Sequence, residues 1–190
     1  MSTVILDSFK TKNSFSVDCN GKGKFAENVF LEYFFKNEKN ANKTLFDVRN
    51  NKEYQEVDID FVIDNEGGSE LPTIDDVFYK KNRFIKVEVK YNGPALKSGK
   101  IAFEVVSHSR RGWGCTSRCD YMFVVFGEDE SVDKYKVKKI GMIDFKKWTK
   151  FIDNKSNKTE TYVNEDENKI VNIMTYLKDM EKDKVLTFIN

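Results

Sequence analysis

The chain of 190 residues is long enough for one hydrophobic core and short for two domains. Its 39% hydrophobic and 33% charged residues are typical of a globular protein, and three cysteines do not suggest a disulfide framework. No apolar run approaches the roughly 20 residues of a membrane-spanning helix. Asp7 interrupts the short apolar start where a signal peptide would continue. We therefore expect no membrane partner and a cytoplasmic location.

Positive charge is concentrated in residues 80–118. This stretch holds ten Lys or Arg and only two acids, Glu88 and Glu104, for a local net charge of +8, although the whole chain carries +1. A basic region with two isolated acids is typical of a phosphate-binding surface that also carries a metal site. The alternative is a solvated basic face without a partner.

The first predicted element is an amphipathic helix over residues 24–35, preceded by a loop or cap at residues 20–23. Apolar residues recur there at helical spacing and predict one buried stripe. The stripe consists of Phe25, Ala26, Val29, Phe30, Tyr33 and Phe34. The almost wholly polar residues 37–43 are expected to end the helix.

Two strands follow, over residues 54–64 and 84–91, where apolar and charged residues alternate with the period of a strand. The first carries Asp58 and Asp60 on its polar face. The second carries Lys86, Glu88 and Lys90 there. Residues 69–82 between them are predicted to be an irregular loop.

The rest of the chain predicts three more strands, over residues 101–107, 120–126 and 135–143. Asp144 is expected to cap a helix that reaches Ile152, with Phe145 and Trp148 pointing inward. A polar loop to about residue 164, a last helix over residues 166–180 and a short strand over residues 185–189 complete the pattern. Together these elements predict an α/β (α+β) fold, with helices on a mixed sheet, in a single domain of residues 1–190.

The strongest chemical signal joins Asp60 to Glu88-Val89-Lys90. Glu88 and Lys90 lie on one strand face, about 7 Å apart along the backbone. The apolar faces behind them place these charges against a core, where a charge is costly unless it is paired or bound to a metal. Two carboxylates beside an ammonium suit a hard divalent cation. Without Asp60, a simple surface pair between Glu88 and Lys90 would be the preferred interpretation.

This ordered set resembles the PD-(D/E)xK nuclease superfamily, in particular a small phage-type branch. Glu27 on an early helix, Asp60 on a strand, Glu88-x-Lys90 on the next and Glu104 on the strand after it carry the resemblance. It covers about residues 22–145 and leaves residues 146–190 as a C-terminal helical extension. It implies a restriction-endonuclease-like mixed central sheet flanked by helices.

The resemblance also implies chemistry: Mg²⁺- or Mn²⁺-dependent hydrolysis of phosphodiester bonds in DNA. Asp60, Glu88 and the Val89 carbonyl would hold the metal. Lys90 would orient a water molecule or stabilise the transition state. Glu27 would complete the metal shell or position a water molecule from the helix, and Glu104 would hold Lys90 in place. Whether Asp58 replaces Asp60 as the metal ligand stays open, and a homodimer is compatible with the resemblance.

The DNA contacts are expected from basic residues and one aromatic residue. They are Lys22, Lys24, Arg110, Arg111, Trp113 and Arg118. Basic groups reach phosphates, and a tryptophan stacks on a base unless it is part of the core. The cysteines are interpreted as small core thiols, with a zinc site of Cys19, His108, Cys115 and Cys119 as the alternative.

The alternative function is a nuclease-like fold that binds DNA or protein without cutting. The resemblance is compatible with single-stranded and duplex substrates, with DNA and RNA, and with cutting within a strand or at its end.

Overall fold

The computed structural model describes residues 3–6, 17–107, 110–131, 134–154, 159–164 and 170–189. Its helices are α1 Val17–Lys36, α2 Lys52–Gln55, α3 Ile74–Tyr79, α4 Ala95–Ser98, α5 Trp113–Thr116, α6 Phe145–Asp153 and α7 Leu177–Lys182, with a 3-10 turn at Glu38–Asn40. Its strands are β1 Thr3–Leu6, β2 Thr44–Asp47, β3 Phe61–Asp64, β4 Phe84–Tyr91, β5 Lys100–Ser107, β6 Arg110–Arg111, β7 Tyr121–Ser131, β8 Lys134–Asp144, β9 Thr159–Asn164, β10 Ile170–Tyr176 and β11 Leu186–Ile189. Within these ranges, no helix is long and apolar enough to cross a membrane.

A seven-stranded mixed sheet forms the centre of the protein, in the order β1-β2-β3-β4-β7-β8-β11. The β1–β2 and β4–β7 pairs are parallel, and the others are antiparallel. Residues 122–126 of β7 are fully buried, as the unbroken apolar run of this strand predicts. The expected α/β fold with a mixed sheet is confirmed.

Helix α1 covers one face of this sheet with the predicted stripe. Ala26, Phe30 and Phe34 are buried, and the Phe30 ring lies 4.8 Å from Phe61 and 5.1 Å from Phe123 between centroids. The predicted loop at residues 20–23 is wrong, because α1 already includes it. Packing of the apolar stripe against the sheet outweighs the low helix propensity of Gly21 and Gly23.

The predicted strand over residues 54–64 is wrong for its first half. Asn51 caps α2, the chain turns at Asp58 with a left-handed φ of 54°, and β3 begins only at Phe61. Ile59 is nevertheless fully buried, because it packs in an apolar cluster with Phe46 and Tyr54. The strand-like spacing of Val57 and Ile59 therefore belongs here to a turn. Asp60 lies just before β3, and Asp58 does not share a strand face with it.

The residues that follow β3 also differ from the expected irregular loop. Thr73 caps α3, because its hydroxyl accepts a hydrogen bond from the Asp76 N–H at 3.2 Å. Helix α3 then leads into β4, whose bounds agree with the predicted residues 84–91.

A second, four-stranded sheet has the order β6-β5-β10-β9. The strand that carries Glu104 belongs to this sheet, while the neighbour of β4 in the main sheet is β7. Phe103 on the buried face of β5 stacks on Trp148 at 4.0 Å between ring centroids. That contact ties the second sheet to helix α6, which Asp144 caps as predicted.

The C-terminal residues are not a helical extension. Where a helix over residues 166–180 is predicted, the structure has strand β10 followed by the short helix α7. Val171 and Ile173 are β-branched and favour a strand, and Ile173 pairs with Phe103 of β5. The predicted last strand is confirmed as β11, which joins the main sheet beside β8.

Candidate active site

Asp60, Glu88 and Lys90 come together at a notch in the main sheet. Strand β3 begins at Phe61, which pairs with Val87 of β4. The residues of β4 after Val87 therefore have no β3 residue beside them. Asp60 fills the gap: its N–H bonds to the Val87 carbonyl at 3.0 Å, and its Oδ2 accepts from the Val89 N–H at 2.8 Å. Because N–H and C=O of one strand residue point to the same side, the Val89 carbonyl also faces this notch.

Glu88 and Lys90 form an ion pair on the face of β4 that lies away from α1. The Glu88 side chain is 5% exposed and that of Lys90 is 33% exposed. The Lys90 ammonium also lies 5.2 Å from the centre of the Trp113 ring. The cluster therefore reaches solvent mainly through Lys90, which is held between a carboxylate and an aromatic ring.

Negative charge is in excess at this notch. Burial and the charge of Asp60 raise the pKa of Glu88 well above its ordinary value of 4.5. Partial burial alone would lower the pKa of Lys90, but the carboxylates of Glu88, Asp60 and Asp58 together raise it. Lys90 therefore keeps its proton, and its single ammonium lies among three carboxyl groups, those of Glu88, Asp60 and Asp58. An additional cation would reduce this excess of negative charge.

Asp58 belongs to the cluster although it is not a strand residue. Its Oδ2 accepts a hydrogen bond from the Thr116 hydroxyl at 3.0 Å. Burial raises its pKa, and its carboxylate interacts with both Lys90 and Asp60. The two aspartates therefore occupy different positions: Asp60 contacts the β4 backbone, and Asp58 faces α5. Which of them would bind a metal stays open.

Glu27 reaches the notch from α1, and its partner there is Arg49, a cation that the sequence did not single out. Arg49, after β2, donates to both Glu27 and Asp47, and its Nε lies 2.7 Å from Asp47 Oδ1. Burial raises the pKa of Glu27, with a further contribution from Asp60, which places Glu27 near the cluster. The sequence signal for β2, the strand before Arg49, is the short apolar run that precedes Asp47. Lys43 and the Asn50-Asn51 turn bound this region.

Replacing Arg49 with methionine is expected to destabilise the protein by about 2 kcal/mol, since Glu27 and Asp47 would lose a hydrogen-bonded cation in a half-buried setting. Urea unfolding measures the loss. Lys52→Met is the matched control, because Lys52 forms an exposed pair with Glu56 at 3.8 Å that contributes little. Equal stability of both variants would contradict the bridging role of Arg49.

Glu104 belongs to the second sheet and not to the main sheet that carries Lys90. It is half-buried on β5, and the ion pair of Lys90 is formed with Glu88. The backbone of Glu104 instead supports the chain at Gly112 and Gly114, where an added Cβ would come within 2.5 Å and 2.8 Å of the Glu104 carbonyl oxygen. The contacts described for Lys90 are those with Glu88 and Trp113, and the positioning of Lys90 by Glu104 stays a prediction.

The residues expected to bind nucleic acid fall into two groups. Arg110, Arg111 and Arg118 are exposed on the segment that borders Lys90, and Trp113 is half-buried against Phe103 at 5.4 Å between rings. Lys24 is exposed on α1. Lys22 pairs with Asp129 at 2.7 Å and lines a cavity of about 670 Å³ beyond the end of β4.

The zinc alternative has no support within the described residues. Cys119 is buried, and burial raises its pKa to about 12, whereas Cys115 is exposed. His108 and the Cys19 side chain lie outside the described residues. Among the side chains that are described, no three of His, Cys, Asp or Glu are arranged as a metal-binding group.

Comparisons with known proteins do not add to this description. No protein-family model, curated protein or solved structure matches the chain.

Proposed function

We propose that this protein is a metal-dependent nuclease of the PD-(D/E)xK type that hydrolyses phosphodiester bonds in DNA. The observation that carries the proposal is the convergence of Asp60, Glu88 and Lys90 at the notch, with the Val89 backbone between them. These are the oxygen donors and the ammonium that such a reaction needs.

The donor set fits Mg²⁺ or Mn²⁺. Mg²⁺ is commonly bound by one or two carboxylates, water molecules and substrate phosphates, so a set of three protein carboxylates is not required. Asp60 and Glu88, with the Val89 carbonyl, would hold it. Burial first and the Asp60 charge second raise the pKa of Glu88, and a bound cation would favour its ionised form. When bound, the ion supplies a water molecule of lowered pKa and neutralises phosphate charge.

Each residue of the cluster has a separate task. Asp60 fixes the β4 backbone through the Val89 N–H, which sets the position of Glu88 and Lys90. Lys90 stays protonated and supplies a fixed positive charge to phosphate oxygens that gain charge during the reaction. Trp113 limits the positions that the Lys90 ammonium can adopt.

A panel of labelled linear, nicked and branched DNAs, each offered with Mg²⁺ or Mn²⁺, tests the proposal. Cleavage of at least one substrate that stops when the metal is chelated is expected. A folded protein that leaves every DNA of the panel intact with either metal would overturn it.

One observation favours a second function, a nuclease-like module that binds DNA without cutting. Glu88 is 4% and Asp60 9% exposed, and both already have partners in Lys90 and the Val89 N–H. A protein that binds DNA with unchanged affinity in the presence and absence of Mg²⁺, and cuts none, would support this second function.

A further inference from the structure

The chain from Arg110 to Arg118, here called the arginine segment, passes across the acidic cluster. It starts at β6, which pairs with β5, and its Trp113 ring lies under the Lys90 ammonium. Thr116 then bonds to Asp58. The segment ends where the Arg118 N–H donates to the Val57 carbonyl at 3.0 Å.

Both ends of the arginine segment are anchored. At one end, the Gly112 N–H bonds to the Val105 carbonyl at 3.0 Å, and the two glycines allow close contact with β5. At the other end, the Ser117 hydroxyl donates to the Asp58 carbonyl at 3.4 Å. The segment is therefore fixed to the second sheet on one side and to the α2–β3 turn on the other.

The exposed arginines of the segment lie on either side of its cluster contacts in chain order. Arg110 and Arg111 precede the Trp113–Lys90 contact along the segment, and Arg118 follows the Thr116–Asp58 contact. Arg118 lies 5.5 Å from the centre of the Phe78 ring, which restricts where its charge can point. Exposed arginines thus stand before and after the two residues of the segment, Trp113 and Thr116, that contact the cluster.

We infer that the arginine segment binds phosphates on both sides of the bond to be cut, so the substrate is a continuous strand that passes through the site. This inference rests on the proposed function and specifies its substrate. Arginine recognises phosphate through paired N–H donors, and contacts with the backbone set the register of a strand without reading its sequence. Contacts on both flanks position an internal phosphodiester at Lys90 and require no strand end.

Closed circles provide the test, because they have no ends. The same DNA sequence is supplied as a closed single-stranded circle, as a closed duplex circle, and in linear form with the label inside. We expect the circle of the preferred strandedness to be cut as readily as its linear form. Linear DNA shortened from its ends while both circles stay intact would overturn the inference and leave the proposed function standing.

Binding measured in a chelating buffer separates the two proposals. Arg111→Gln and Arg118→Gln are each expected to weaken binding of the linear DNA several-fold and to lower the salt dependence by about one phosphate contact. Lys39→Gln, an exposed charge beyond the end of α1, is the control and should bind like the wild type. Unchanged affinity in either arginine variant would overturn the inference.

If no DNA is cut by the folded protein, the proposed function fails, and the binding results decide the inference by themselves. Weaker binding in both arginine variants, with the control unaffected, supports a strand that contacts both flanks. An effect confined to one flank contradicts it.

Discussion

Lys90→Met is expected to slow DNA cleavage by about 10²–10³-fold, the usual loss when one fixed electrostatic contact to a transition state is removed. Methionine keeps much of the length of lysine and its packing against Trp113 but carries no charge. The Glu88 and Asp60 carboxylates would then face the substrate phosphate without the ammonium that balances them. The variant therefore loses both the ion pair with Glu88 and the positive charge that stabilises the transition state.

Single-turnover cleavage of labelled DNA measures this effect, with circular dichroism as the check on folding. Lys97→Met is the matched control, because Lys97 is an exposed lysine seven positions further along the chain. It should cut at the wild-type rate. A folded Lys90→Met variant that also cuts at that rate would remove Lys90 from the reaction.

Asp64→Asn is expected to produce the largest loss of stability among the substitutions considered, about 2–4 kcal/mol. Asp64 is fully buried and accepts from Arg83 Nη2 at 2.7 Å and Nε at 3.0 Å, and from the Glu66 and Gly68 N–H groups. Asparagine offers one acceptor oxygen in place of two. Its side-chain NH₂ group would face N–H groups that now donate to the Asp64 carboxylate, so two sets of donors would meet.

The same variant has a defined pH dependence. Burial alone would raise the pKa of Asp64, but hydrogen bonds from Arg83 and the two backbone N–H groups bring it below its ordinary value of 3.8. A lowered folded-state pKa contributes stability above the unfolded-state pKa, and this contribution is lost as the pH falls through the folded value. The stability gap between wild type and Asp64→Asn should therefore be full at pH 7 and should narrow below 3.8.

Urea unfolding at neutral and acidic pH measures this gap. Asp153→Asn, which removes an exposed carboxylate at the end of α6, is the control and should change stability by less than about 0.5 kcal/mol. A gap that widens on acidification would contradict the assigned role of Asp64.

The sequence predicts best the elements whose pattern has one structural solution. The bounds of β4 follow from its alternation and from the Asn92-Gly93-Pro94 stop. The stripe of α1 fixes which side chains are buried. The convergence of Glu88 and Lys90 on one face needs nothing beyond the period of that strand.

Other parts depend on contacts between distant segments. Ile170, Val171, Ile173 and Met174 suit a helix or a strand, and pairing with β5 decides between them. The place of Glu104 depends on which sheet β5 joins, which its own sequence does not reveal. Arg49 approaches Glu27 because β2 pairs with β3, so neither residue alone predicts their contact.

The turn at Asp58 shows how local geometry can replace a predicted strand. Val57 and Ile59 are spaced as in a strand, yet a left-handed Asp58 between them reverses the chain direction. Aspartate tolerates this conformation better than most residues. The consequence for the candidate site is direct: Asp58 turns toward Thr116, and Asp60 alone reaches the β4 backbone.

Calorimetric titration with Mn²⁺ of the wild type and of Glu88→Gln tests the central claim most directly. Saturable uptake by the wild type that is lost or strongly weakened in a folded Glu88→Gln variant is the predicted result. No uptake by the wild type, or equal uptake by both proteins, would contradict a metal held at Asp60 and Glu88.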